Sequence, residues 1–141
     1  MIAKFDFDDL HVGMSHSFTR DLTSEIVNAF AGITEDFHPL HVDKEYAIDN
    51  GFEGPIAHGF LLTSFLSYSV GMKIPGENAI ILSQSSNYLK PAYIGEILNI
   101  TCKITHLDKR FSTITLSYKI TNKKSVTLVN GEIKVKIRKK P

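Results

Sequence analysis

This chain has almost no cysteine, no long apolar run and no excess of charge of either sign. Each shortage closes off a class of protein. The single cysteine, Cys102, excludes an internal disulfide and suits a reducing compartment. It sits in an alternating apolar–polar stretch with no neighbouring histidine, the setting of a small core residue rather than a nucleophile. The net charge of +1 gives no field to gather nucleic acid or an anionic membrane. The basic tail Lys134–Lys140 interleaves with Ile133, Val135 and Ile137, which is a strand with a solvated face and not a basic arm. The most apolar stretch, Ile56–Val70, contains His58 and several hydroxyls and is too short to span a membrane. The first ten residues carry Lys4, Asp6, Asp8 and Asp9 and no apolar run, so no secretory leader is expected and the reading is cytoplasmic. There is no Gly-x-Ser-x-Gly elbow and no glycine-rich phosphate loop. With no repeat, linker or low-complexity tract, residues 1–141 read as one domain.

What is present divides into two halves. The first reads as short helices and loops. Thr23 or Ser24 caps a helix whose Ile26, Val27, Phe30 and Ala31 share a face, ending near Gly32–Ile33. Asp43 is placed to cap a short helix over Lys44–Asp49, closed by Asn50-Gly51. After Gly54-Pro55 a third helix is predicted from near His58 to Val70, with Gly71 as its C-cap. It is apolar nearly all round and therefore expected to be buried on most sides. In the second half Leu98–Ile104, Ile114–Ile120 and Ile133–Ile137 alternate with polar residues, as strands with one buried face do. Ala79–Tyr88 is a further extended stretch, and Asn122–Ser125 is a turn. Asn130-Gly131 reads either as a hairpin turn or as a glycine bulge within one long strand. Helices followed by antiparallel strands make an α+β domain. A sheet wrapped around one long buried helix is the hot-dog arrangement.

One segment carries chemistry. Asp36-Phe37-His38-Pro39-Leu40-His41 sets a carboxylate and an imidazole five positions apart across a proline. Pro39 disfavours helix at His38, so the stretch is expected to be a turn or loop in which the two side chains converge. An Asp beside a His is a general acid–base pair near neutral pH. It is also a common structural pairing, with Asp36 supporting a turn and His41 at the edge of a core. A zinc site is a third reading, since His38, His41, His58 and Asp43 supply suitable ligands, but the spacing lacks a closed signature.

Phe30 through Asp43 resembles the signature of the MaoC-like dehydratases, the (R)-specific enoyl-CoA hydratases: an aromatic, then Asp-x-Asn-Pro-Leu-His, then a short helix with a small residue, here Ala47. The likeness continues in Pro55–Leu61, in Gln84–Pro91 and in Gly95-Glu96. It implies a hot-dog homodimer that reversibly hydrates a trans-2-enoyl thioester of coenzyme A or acyl carrier protein, with no cofactor and no metal. It implies Asp36 as the main general base, His41 orienting the water and assisting proton delivery, and the backbone N–H of Gly59 stabilising the thioester oxygen. Ser67 matches a serine near the family's site, placed to hydrogen-bond a catalytic side chain or substrate, although a buried serine bonding its own helix carbonyl fits equally well; His58 is implied on the substrate side. Two positions depart from the pattern: His38 replaces the usual Asn, and Glu35 stands where Gly is frequent. Thioester hydrolysis and a non-catalytic acyl-binding scaffold are the competing readings. Retention of both Asp36 and His41 argues against an idle copy.

Overall fold

The computed structural model describes residues 1–139 and 141. Five antiparallel strands form one sheet: β1 (Ser15–Asp21), β2 (Ala79–Tyr88), β3 (Ile97–Asp108), β4 (Thr113–Thr121) and β5 (Thr127–Ile137). Their order across the sheet is β1-β3-β4-β5-β2. The inward residues Leu98, Ile100, Cys102 and Ile104 of β3 meet Ile114, Leu116, Tyr118 and Ile120 of β4, and all are buried. Their alternation with polar residues is the period of two that lets one face of a sheet dry out. Cys102 lies fully inside, and burial pushes its thiol up to about 11, which leaves it inert as a core residue.

Against this face lies a helical stretch in three pieces: α4 (Gly59–Ser64), α5 (Leu66–Tyr68) and a π-helical turn, Ser69–Lys73. Leu61, Leu62, Leu66 and Val70 point into the sheet and are buried. This is the hot-dog architecture of the α+β class. Two expectations about the helix are corrected. It does not stop at Gly71 but closes at Ile74, whose N–H reaches back to the Ser69 carbonyl at 2.7 Å. Nor is it buried on most sides: Phe60 is 77% exposed, and Ser64 and Ser67, further along the same face, are exposed as well. One sheet covers only one side of a helix, so apolar character all round does not end in burial all round.

β1 is the element that the sequence reading assigned to loops. It is a polar edge strand, paired with β3 from Ser15↔Lys103 to Asp21↔Ile97. Only His16 and Phe18 turn inward, onto Tyr68, which leaves too short an apolar alternation to read. Asn130-Gly131 is neither a hairpin nor a bulge, because β5 runs straight through it in register with both neighbours. The glycine answers to a close approach instead. A Cβ at Gly131 would lie 1.9 Å from the Ser85 carbonyl oxygen and 2.9 Å from the Tyr118 hydroxyl, which donates to that carbonyl. The Asn122–Ser125 turn forms as expected, with Ser125 N–H on the Asn122 carbonyl at 2.9 Å. Of the basic tail, β5 ends at Ile137, and Lys140 lies outside the described residues. No helix among the described residues is long and apolar enough to cross a membrane.

Candidate active site

The first wall of the site comes from α1 (Ser24–Thr34) and the two short helices after it. Thr23 caps α1 by accepting the Ile26 N–H, and Val27 and Ala31 anchor the helix in the interior. Glu35 ends it in the left-handed conformation, φ 61°. That geometry explains why glycine suits this position, since a side chain there is strained by its own Cβ. The chain then turns through Asp36 into α2 (Pro39–Val42), a single helical turn with Pro39 at its first position. The expected loop is thus partly helical, because proline is tolerated where the N–H has no partner anyway. His38 is the cap of this turn: its Nδ1 accepts the Leu40 N–H at 3.2 Å. An asparagine oxygen performs the same task, so the departure at His38 preserves the local fold. Asp43 caps α3 (Lys44–Asp49) through the Tyr46 N–H, as expected.

Asp36 serves the turn with one oxygen and the site with the other. Its Oδ1 accepts the His38 N–H at 3.1 Å. Its Oδ2 lies 3.9 Å from Nε2 of His41 and 3.9 Å from Nε2 of His58. These gaps exceed direct hydrogen bonds but fit a bridging water at about 2.8 Å from each side. The Asp36 side chain is half exposed, whereas that of His41 is 14% exposed.

His41 is fixed by the strand-like segment after Pro55. Ile56 donates to the Leu40 carbonyl, and the Ile56 carbonyl lies 2.7 Å from His41 Nδ1. A carbonyl can only accept, so Nδ1 carries the proton and Nε2 presents a lone pair towards Asp36. Burial pushes the His41 pKa below its usual value and the neighbouring His58 adds to this; the Ile56 carbonyl and Asp36 pull the other way.

The second wall is the start of the central helix. His58 is its N-cap residue and Gly59 its first helical residue. N–H groups of a first turn have no acceptor within the helix, and the dipole adds positive potential there. The Tyr88 ring packs against Gly59: a Cβ on the glycine would lie 2.8 Å from Cε1 of the ring. A larger residue here would have to push the half-exposed Tyr88 ring aside. The cleft at this point, about 380 Å³, is lined by Gly59, Leu62, Tyr88, Lys90 and Pro91. The Tyr88 hydroxyl lies 3.3 Å from Thr63 Oγ1.

The structure gathers Asp36, His41 and His58, with ligand atoms within 4.8 Å of one another. It leaves Asp43 and Ser67 out of that group: Asp43 caps α3, and Ser67 sits on the exposed helix face near Phe60. His58 is buried at 3% and turns its Nε2 to the Asp36 backbone carbonyl at 2.9 Å. A ring nitrogen that donates a proton has no lone pair for a metal, so in this arrangement the trio supplies only Asp36 and His41 as ligands. The contributions of the Ile56 carbonyl and the Tyr88 ring were missed in the sequence. Both residues lie inside recognisable blocks, but a backbone acceptor and a ring packed on a glycine leave no residue-type signal.

Residues 10–127 match the family model described as MaoC like domain. The (R)-specific enoyl-CoA hydratase of Aeromonas caviae is 34% identical over 128 residues, 91% of this chain and 96% of that protein. Its solved structure, an (R)-hydratase involved in PHA biosynthesis, superposes with a TM-score of 0.89 over 92% of this chain and 98% of that one. The (R)-specific enoyl-CoA hydratase of Rhodospirillum rubrum is 32% identical over 133 residues, 93% of this chain and 90% of that protein. An R-hydratase of Pseudomonas aeruginosa, 22% identical, shares the fold with a TM-score of 0.92 over 99% of this chain and 89% of that one. The chain belongs to the MaoC-like dehydratase family, which includes the (R)-specific enoyl-CoA hydratases.

Proposed function

We propose that this chain is a hydro-lyase that reversibly adds water to a trans-2-enoyl-CoA, giving the (R)-3-hydroxyacyl-CoA. The observation that carries this reading is the 3.9 Å gap between Asp36 Oδ2 and the lone-pair nitrogen Nε2 of His41, beside the first N–H of the central helix. One water held between the two acceptors gives a proton to the pair, with Asp36 as the main base. Its oxygen bonds to C3 as the C2–C3 π pair moves towards the thioester. The charge that develops on the thioester oxygen is met by the Gly59 N–H, a donor whose kind is worth about 3 kcal/mol. The accepted proton then passes to C2 with His41 assisting, so that one water has been added across the double bond. Positioned acid–base groups supply about 10²–10⁴-fold of the rate.

Coenzyme A as carrier is supported by a second cavity, about 460 Å³, which shares Lys90 and Pro91 with the Gly59 cleft and adds Lys123, Lys124 and Tyr93. Its wall also holds Glu53 and Glu96, so the basic character belongs to the lysine side. Of the other basic residues, Lys73 and Arg110 are engaged elsewhere, over Tyr68 and with Asp108. The working unit is a homodimer in the cytoplasm. An exposed Phe60 and an edge strand β2 with Ile80 and Leu82 half exposed support burial against a second copy. Ser67 lies exposed on that same helix face.

The test is the loss of the conjugated enoyl-thioester absorbance of crotonyl-CoA. The wild-type protein, sedimenting at twice the chain mass, is expected to remove it and to leave (R)-3-hydroxybutyryl-CoA. No loss with short or long enoyl chains on either coenzyme A or acyl carrier protein overturns the reading.

A further inference from the structure

His58 stands between the two walls of the site and touches both. Its Nε2–H donates to the Asp36 backbone carbonyl at 2.9 Å, across 22 residues of chain. Its ring stacks on that of His41, with centroids 3.8 Å apart and planes at 27°. Phe30 meets the same ring edge-on at 5.0 Å. His58 is 3% exposed, and its Nδ1 is buried with no hydrogen-bond partner among the described residues. The residue that follows it is Gly59.

A side chain held this way does not suit substrate contact. Its only donor is already used, one ring face is covered by His41, and Phe30 packs against it edge-on. The unpartnered nitrogen is a cost that a purely apolar residue at the same place would avoid. A phenylalanine ring, somewhat larger, occupies the same place but cannot hold the Asp36 carbonyl. The one thing the imidazole adds over an apolar ring is that N–H.

We propose that His58 is a positioning residue: through the Asp36 carbonyl and the His41 ring it fixes the water-activating pair at a set distance from the Gly59 N–H. It replaces the substrate-binding role that the sequence suggested for His58, and it rests on the hydratase reading of the site. Asp36 depends on this contact most. Its turn is exposed, and apart from the short-range bonds to Thr34 and His38 the His58 N–H is its tie to the rest of the fold.

Two variants separate the contact from the bulk. His58→Phe keeps a ring against His41 and removes the donor. His58→Gln keeps an N–H that reaches the Asp36 carbonyl and removes the ring. Misplacement of a reacting group by about 1 Å costs on the order of 10²-fold in rate. His58→Phe is therefore expected to lower kcat for crotonyl-CoA hydration by about that factor with KM changed less than threefold, and His58→Gln to recover kcat to within about threefold of wild type. NMR titration of His41 gives a readout free of activity. Its ionisable neighbours are His58, Asp36 and His38. Both variants remove the imidazole, but only His58→Phe frees the Asp36 turn and with it the carboxylate that raises the His41 pKa, so His41 is expected to titrate lower in His58→Phe than in His58→Gln.

Equal losses of kcat in the Gln and Phe variants, or wild-type kcat in His58→Phe with His41 titrating alike in both variants, overturn the proposal. If the wild-type protein hydrates no enoyl thioester, the function reading fails, and the order of the His41 titrations in the Phe and Gln variants still decides the role of His58.

Discussion

The three central strands and the Asp36–Gly59 wall are built on opposite terms. In β3, β4 and β5 the inward side chains are almost wholly buried and the backbone is paired on both sides. In the wall, a carboxylate stands half exposed, a buried imidazole nitrogen goes unpartnered, and Glu35 holds a left-handed backbone. The strands spend their residues on stability. The wall accepts strain and unsatisfied polarity around Asp36 and His41, the pair proposed to share a water, and such costs gather where proteins carry function.

That contrast can be broken from either side. The largest stability effect belongs to the strands. Leu116→Ala empties a fully buried position and is expected to cost about 2–5 kcal/mol in chemical denaturation. Specific activity per folded molecule should stay near wild type, because Leu116 is not among the residues that line the cleft or hold Asp36 and His41. A loss of activity larger than the folded fraction explains would mean that sheet packing sets the geometry of the wall. At the small end, Glu35→Gly relieves the left-handed strain at φ 61°. It is expected to raise stability by up to about 1 kcal/mol, since the cost of a Cβ in that region is partly offset by the greater freedom of glycine in the unfolded chain. A destabilised Glu35→Gly protein would show that the Glu35 side chain does more than tolerate its position.

The same contrast governs what was legible in the sequence. Ala79–Tyr88 and Lys44–Asp49 form over the residues expected, and the alternation of β3 and β4 matches the buried face. Periodicity and capping are local signals, and these elements obey them. β1 was invisible because its edge position demands only two inward residues. The exposed Phe60 face was misread because periodicity reports hydrophobicity and not which surface meets it. Asp36 and His41 were legible as a pair from their spacing across Pro39. That His41 presents Nε2 was not, since its tautomer depends on the Ile56 carbonyl, 15 residues away. Nor was the role of His58, which rests on a carbonyl and on ring stacking, contacts that any residue order can hide.

The central claim is that Asp36 and His41 act on one shared water. A double-mutant cycle on crotonyl-CoA hydration tests it most directly. Asp36→Asn retains the oxygen that holds the His38 N–H, so the turn survives while the base is lost. Asp36→Asn and His41→Gln are each expected to lower kcat by about 10²–10⁴-fold. If they share one water, the double variant falls little further than the worse single variant, as groups that work as a unit do. Losses that multiply in the double variant, or single variants that keep wild-type rates, would contradict it.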